Sequence, residues 1–344
     1  MGLFDRFKSE GSPKVEYDKN SESSKAVQKF SRSDIRISRI GEGISGTVDL
    51  YKSKVVPTFR YAVKTYHSKE KYESKTEYVA RVLTEYNILR QLHHSNLIEV
   101  YKYEVSLSGE VRTFLEAGSP NLYDLIRSVP ASSLDPKGML CIWKQICDGV
   151  RYLHEAKVCH RDLKLNNLVV DIPNRTVKII DFATALVVKD NEPAIGIVGS
   201  DAYIAPETIE KIRYNGMEAD IWSLGIILYY LMVVKFPWKS ARHSDKKYTA
   251  FKNIPDRPQS WITDHLIPPP VYTDEGLEMG KASVLRYLPA ESYPLASYIL
   301  MVNPTKRATI RDFWEDEWFS SIDYCHEGHR CETEHTLVFR DHLV

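Results

Sequence analysis

Short apolar and polar alternations organise the first third of the chain. Residues 35–40 and 47–51 are rich in β-prone side chains, and residues 59–66 alternate outright, which predicts three strands. The period then changes. Residues 79–92 carry apolar side chains at helical spacing, and residues 138–155 read as a long helix. The longest apolar run, residues 221–234, is bounded by Asp220 and Lys235. A bilayer span takes about 20 such residues, so this run is expected to be a buried core helix, with no transmembrane segment. Residues 239–290, with Pro268, Pro269 and Pro270, read as a loop-rich insertion. The start of the chain, up to Ser31, is polar and serine-rich, and a disordered tail is expected there.

Onto this pattern falls a run of chemistry-bearing residues, His160-Arg161-Asp162-Leu163-Lys164-Leu165-Asn166-Asn167, with Asp181-Phe182 beginning fourteen positions after Asn167. Phosphoryl transfer needs a base for the incoming hydroxyl, a cation for the transferring group and hard oxygens for a metal. Asp162, Lys164 and the pair Asn167 and Asp181 supply them in that order. Upstream, Gly41, Gly43, Gly46 and Val48 form G-x-G-x-x-G-x-V between two predicted strands, where backbone N–H groups can approach phosphate oxygens. The same glycine spacing opens a dinucleotide-binding unit when a helix follows it, but here a strand follows. That strand holds Lys64, a cation for the α and β phosphates, and the helical segment behind it offers Glu85, rather than Glu77, as its partner.

In these motifs the chain resembles eukaryotic-type protein kinases over about residues 34–320. The resemblance implies an α+β, bilobal fold: a β-rich N-lobe with one main helix over residues 34–115, a hinge at 116–118, and a mostly helical C-lobe over 119–320. It implies ATP and Mg²⁺ as cofactors, with adenine bound at the backbone of Glu116 and Gly118, after a gatekeeper at Leu115. Ala205-Pro206-Glu207 would close the activation segment, with Arg307 as the buried partner of Glu207. Residues 196–207 and 236–239 narrow the likeness to the fungal halotolerance and nitrogen-permease-reactivator serine/threonine kinases. That likeness implies a role in membrane transport and ion homeostasis, and a long N-terminal extension where this chain has residues 1–33.

Composition narrows the partners. Formal net charge is zero, which argues against nucleic acid or an anionic membrane as the main partner. Five cysteines, an odd number with three in apolar segments, suit a reducing, cytoplasmic setting. A monomer acting on protein serine or threonine is expected. Leu3, Phe4 and Phe7 are the only candidates for peripheral membrane contact, with the disordered tail as the plainer alternative. In the C-terminal stretch 321–344, Cys325, His326, His329 and Cys331 lack a standard zinc spacing, and a solvated tail is expected.

Four departures sharpen these expectations. Ala183 stands where a glycine usually follows Asp181-Phe182; alanine pays a cost there when φ is positive, so the segment is expected to flip less freely with activity kept. Leu165-Asn166 removes an acidic contact for basic substrates. Ser200 stands where a hydroxyl marks serine/threonine specificity. Residues 185–199 contain no hydroxyl side chain to phosphorylate, which leaves two alternatives for Arg161: pairing with Asp190 or Glu192, or solvated acids with Arg161 held by backbone carbonyls. Two other classes carry contrary signatures. A pseudokinase acting as a binding module would have lost Lys64, Asp162 or Asp181, and a small-molecule phosphotransferase would not need the Ala205-Pro206-Glu207 segment.

Overall fold

The computed structural model describes residues 30–31, 33–43, 45–118, 120–171, 174–189, 192–253 and 270–332. The stretch holding Leu3, Phe4 and Phe7, along with Asp190, lies outside them. The chain divides into two compact units: residues up to Tyr86 with Glu99–Ala117, and Asn87–Ile98 with Gly118 onward.

In the first unit five antiparallel strands form one sheet. They are β1 (Ile35–Gly43), β2 (Gly46–Lys52), β3 (Arg60–Tyr66), β4 (Val100–Val105) and β5 (Val111–Glu116), in the order β1-β2-β3-β5-β4. Helix α1 (Lys75–Leu89) begins four residues earlier than its apolar period, because Ser74 and Glu77 form a reciprocal cap. The Ser74 hydroxyl accepts from the Glu77 N–H at 3.2 Å, and the Glu77 carboxylate accepts from the Ser74 N–H at 2.8 Å. Glu77 is thus spent on starting the helix that carries Glu85. The expected tail also ends sooner than residue 33. Phe30 packs edge-on against Tyr61, with ring centres 4.7 Å apart, and joins the cluster around Tyr61 and Phe114.

The second unit is mostly helical. Its long helices are α3 (Pro136–Glu155) and α5 (Gly216–Val233), with α2 (Leu122–Arg127) ahead of them. Asp135 caps α3 by accepting from the N–H groups of Lys137 and Gly138, and Pro136 takes the first turn, where no N–H is needed. Asn215 caps α5, the apolar run foreseen as a core helix, which is 78% buried. It is the one described helix long and apolar enough to cross a membrane by length and composition. Trp143 of α3 donates its indole N–H to the Leu224 carbonyl of α5 at 3.0 Å, tying the two core helices.

Short two-stranded ladders flank the loops between them: β6 (Val158–Cys159) with β9 (Leu186–Val187), β7 (Leu168–Asp171) with β8 (Thr176–Ile179), and β10 (Ala194–Ile195) with β11 (Arg213–Tyr214). Helix α4 (Pro206–Glu210) precedes β11, and α6 (Lys246–Lys252), α7 (Ala282–Leu285), α8 (Tyr293–Ile299), α9 (Ile310–Glu315) and α10 (Glu317–Ser321) complete the unit. Of the stretch 239–290, residues 254–269 lie outside the described residues; in the rest, Tyr248 and Phe251 of α6 are buried beside Trp222 and Trp238. A β-rich unit and a helical unit together make the α+β, bilobal architecture.

Candidate active site

Each unit carries its own set of the expected residues. In the first, Gly41 pairs with Val48, and Gly43 with Gly46, across the β1–β2 hairpin; Val48 also faces Lys64 across β2–β3. The glycines have different reasons. At Gly46, where φ is 155°, a Cβ would run into the Thr65 backbone, so this glycine is demanded by close packing of β2 on β3. At Gly43 a Cβ would meet nothing within 4 Å, and packing gives no reason for glycine there. The Gly43 carbonyl lies 3.0 Å from the His67 ring, and the His67 N–H reaches the Ser45 carbonyl at 3.2 Å, so the hairpin tip is fastened to the end of β3.

Lys64 is buried on β3, with its ammonium 2.8 and 3.1 Å from the two carboxylate oxygens of Glu85. The Tyr66 hydroxyl donates to the same carboxylate at 2.8 Å, and burial, followed by the Glu85 charge, pushes the Tyr66 phenol pKa up, keeping it a donor. Leu115 and Glu116 end β5, where the Glu116 N–H donates to the Glu99 carbonyl at 2.8 Å. Gly118 begins the next stretch of the second unit.

In the second unit the loop after β6 is built from beneath. Asp220, fully buried at the start of α5, accepts from the backbone N–H groups of His160 and Arg161 at 2.8 Å each and lies 3.1 Å from the His154 ring. Arg161 adopts φ 66°, an unusual angle for a side chain with a Cβ, held by these bonds. The loop therefore presents Asp162 on a fixed backbone. One oxygen of Asp162 accepts from the Ser200 hydroxyl at 2.9 Å; the other accepts from Lys164 at 2.7 Å and from the Asn167 amide at 3.2 Å. Lys164 also reaches Ser200 at 2.9 Å, closing a triangle of base, cation and hydroxyl. The Asp162 side chain remains 13% exposed, so a ligand can reach it.

Asn167 donates its amide nitrogen to Asp162, at the backbone carbonyl (2.9 Å) and at the carboxylate, so its oxygen is the end it can offer a cation. Asp181, the other expected metal ligand, has φ 62° and ψ 76°. A non-glycine residue held there is strained, and such strain gathers at sites of ligand binding. One amide oxygen and one carboxylate are hard donors of the kind Mg²⁺ takes. The donor set therefore fits the metal that the resemblance implies.

Two expectations turn on the backbone in this region. Ala183 has no left-handed backbone: it lies in a 3-10 turn, Phe182–Thr184, and the residue with positive φ is Asp181. Among the described residues Arg161 is met by carbonyls, the second of its two alternatives, and by no acid; Asp190 lies outside them. The guanidinium donates to the carbonyls of Thr184 (2.7 Å) and Ile195 (3.3 Å), while Glu192 pairs with Lys189 at 3.4 Å on the surface. Backbone carbonyls already turned toward the cation supply the negative ends that a side-chain acid would otherwise give.

Below the segment, Arg307 forms a two-pronged pair with Glu207 at 2.6 and 2.9 Å, at 0% and 2% side-chain exposure. The guanidinium also donates to the carbonyls of Glu218 (2.6 Å) and Met301 (3.0 Å). Asp220 and Tyr66 are the supporting residues that sequence reasoning missed. For Asp220 the signal was present, an acid at the mouth of an otherwise apolar helix, where a charge must have partners to be buried.

Comparison with known proteins agrees with this geometry. Residues 35–319 match the protein kinase domain family. Among similar proteins are the serine/threonine-protein kinase oca2 of Schizosaccharomyces pombe (32% identical, covering 83% of this chain and 48% of the relative) and, from Saccharomyces cerevisiae, the nitrogen permease reactivator protein (33%, covering 83% and 39%). The serine/threonine-protein kinase PRR2 of Saccharomyces cerevisiae is 32% identical, covering 83% and 42%. The chain thus spans less than half the length of these curated relatives.

Proposed function

The chain belongs to the protein kinase family, and from that premise we propose that it is a serine/threonine kinase, transferring the γ-phosphoryl group of ATP to protein hydroxyls with Mg²⁺ as its metal. The observation that carries this reading is the Asp162 carboxylate, held by Ser200 on one oxygen and by Lys164 and Asn167 on the other.

A substrate hydroxyl at Asp162 gives its proton to the carboxylate as its oxygen forms the new bond to the γ-phosphorus. The bond from that phosphorus to the β–γ bridging oxygen breaks, and ADP leaves with the electron pair. Lys164, beside the base, offsets charge on the transferring group. In the first unit Lys64, oriented by Glu85 and Tyr66, is the cation for the α and β phosphates, and the bare backbone at Gly43 suits close approach of a phosphate. Adenine binds at the backbone of Glu116 and Gly118. Asn167 and Asp181 would hold a divalent ion, which would supply positive charge to the phosphate oxygens.

Arg161 is satisfied by carbonyls, and residues 185–199 hold no hydroxyl side chain, which supports activity without phosphorylation in that stretch. Similarity to a protein named nitrogen permease reactivator supports regulation of membrane transporters as the biological setting. Five buried cysteines, an odd number, support a cytoplasmic location. The test is incubation of the full chain with γ-labelled ATP and Mg²⁺ beside a peptide array and a panel of sugars and aminoglycosides. Label on peptide serine or threonine is expected. Label on the small molecules alone, or none with folded protein, overturns the reading.

A further inference from the structure

The five cysteines are all buried, yet they are not alike. Cys147 sits within α3, and Cys159 ends β6 with its thiol 3.5 Å from the Leu186 carbonyl. Cys141, Cys325 and Cys331 instead converge from distant parts of the sequence, their three sulfur atoms all within 4.8 Å of one another. Cys325 and Cys331 approach to 3.6 Å, and the Cys325 N–H reaches the Cys141 sulfur at 3.2 Å.

The segment that brings them there is made for little else. In residues 323–332 the two cysteines are the only buried side chains, at 1% and 4% exposure; Glu327, His329, Arg330 and Glu332 face solvent. Apart from them only Tyr324 docks the stretch: its ring packs against the cysteines with the Lys144 ammonium 5.0 Å from its centre, and its hydroxyl donates to Asp148 of α3 at 3.2 Å. The stretch is folded into a closed clip. His326 and His329 exchange both backbone hydrogen bonds (2.9 and 3.1 Å), with Gly328 at φ 78° completing the tight turn. Asp323 ties the ends together, lying 2.8 Å from the His329 ring and accepting from the Glu332 N–H at 3.1 Å. The expectation of a solvated tail therefore fails at the two cysteines, and the histidines once grouped with them point elsewhere.

We propose that Cys141, Cys325 and Cys331 form a three-thiolate site for a thiophilic d¹⁰ metal ion, Zn²⁺ or Cu⁺, which fastens the C-terminal segment to α3. Thiolates bound to one zinc at about 2.3 Å stand about 3.8 Å apart at tetrahedral corners and about 4.0 Å apart in a trigonal plane, which the observed spacing matches with little movement. Soft sulfur donors select these two ions over Mg²⁺. Among the described residues no fourth ligand atom joins the group. On binding, three S–H bonds give their protons to solvent and three metal–sulfur bonds form. The resulting negative charge has a buried cation nearby. Lys144, one turn along α3 from Cys141, donates to the carbonyls of Phe319, Ser320 and Ile322, on the path into Cys325.

The test uses the full chain, purified under reducing conditions without chelator, and reads zinc and copper by elemental analysis. One equivalent of either ion per chain is expected, the analysis telling which. Metal-free protein titrated with Co²⁺ should develop sulfur-to-cobalt charge-transfer absorption, and Cys325→Ser and Cys331→Ser should each abolish it. Restoring the metal should slow amide exchange across residues 323–332, while phosphoryl transfer in the cold stays unchanged. Folded, reduced wild-type protein that holds no stoichiometric zinc or copper and shows no such absorption overturns the proposal. So does a Cys325–Cys331 disulfide in the reduced preparation, and neither result bears on the kinase reading.

Discussion

Two carboxylates of the helical unit, Asp162 and Glu207, are both hydrogen-bonded to cations and yet are built for opposite ends. Glu207 is 2% exposed and locked by both prongs of Arg307, whose remaining donors go to the carbonyls of Glu218 and Met301. Each Glu207 oxygen has its own guanidinium partner, at 2.6 and 2.9 Å. Asp162 is 13% exposed, and its neighbours are a lysine, a serine hydroxyl and an amide, each on a flexible or short arm. The contrast teaches that burial and pairing alone do not mark a reactive acid. What separates the two is access, together with donors that can be shared with an incoming group.

Breaking the sealed pair is expected to have the largest effect on stability. Arg307→Ala leaves Glu207 buried and unpaired, at a cost of about 3–5 kcal/mol. Replacing both residues by Met removes the orphaned charge and should recover much of that loss. Thermal melting of the three proteins checks this, and an unchanged midpoint for Arg307→Ala contradicts it.

At the open site the expected effect is on rate. Ser200→Ala removes one hydrogen bond to a charged group, worth about 1.5–3 kcal/mol. If that bond orients Asp162 in the transition state, kcat falls about ten- to a hundredfold with little change in melting, and Ser200→Thr should keep most of the activity. Steady-state kinetics with a peptide substrate decides it.

A third buried charge sharpens the comparison. Where Arg307 has a carboxylate, Lys281 has the Ser297 carbonyl at 2.7 Å and the Met301 sulfur at 3.1 Å, and burial pulls its pKa down to about 8 from an ordinary 10.5. Between those two values the unfolded chain holds a proton that the folded protein has released, so folding stability rises with pH across that window. Below about 8 both states are protonated and the full penalty is present. Denaturant titrations at several pH values should show this slope in the wild type and its loss in Lys281→Met. The smallest expected effect is none: phosphatase treatment should leave activity intact, because Arg161 is already held by carbonyls. Loss of activity on phosphatase treatment, restored by rephosphorylation, contradicts that.

Much of this was legible in the sequence, because the chemistry sits on short, contiguous runs. Asp162, Lys164, Asn167 and Asp181 could be named from spacing, and Lys64 with Glu85 and Arg307 with Glu207 from the family likeness. What was not legible depends on groups that a sequence does not display. For Arg161 the sequence left an acid or backbone carbonyls as alternatives, and only the fold shows that carbonyls, which every residue has and none advertises, hold it. The positive φ considered at Ala183 lies on Asp181, since φ is set by the turn as a whole. Cys141 is far from Cys325 and Cys331 along the chain, so their convergence appears only after α3 and the terminal clip are folded.

The central claim is that Asp162 takes the substrate proton on a loop whose fold does not depend on its charge. Single-turnover phosphoryl transfer by Asp162→Asn, with melting measured on the same sample, tests it most directly. The account predicts a loss of rate of several orders of magnitude, with the melting midpoint near that of the wild type. Transfer at a near-normal rate by the folded variant would contradict it.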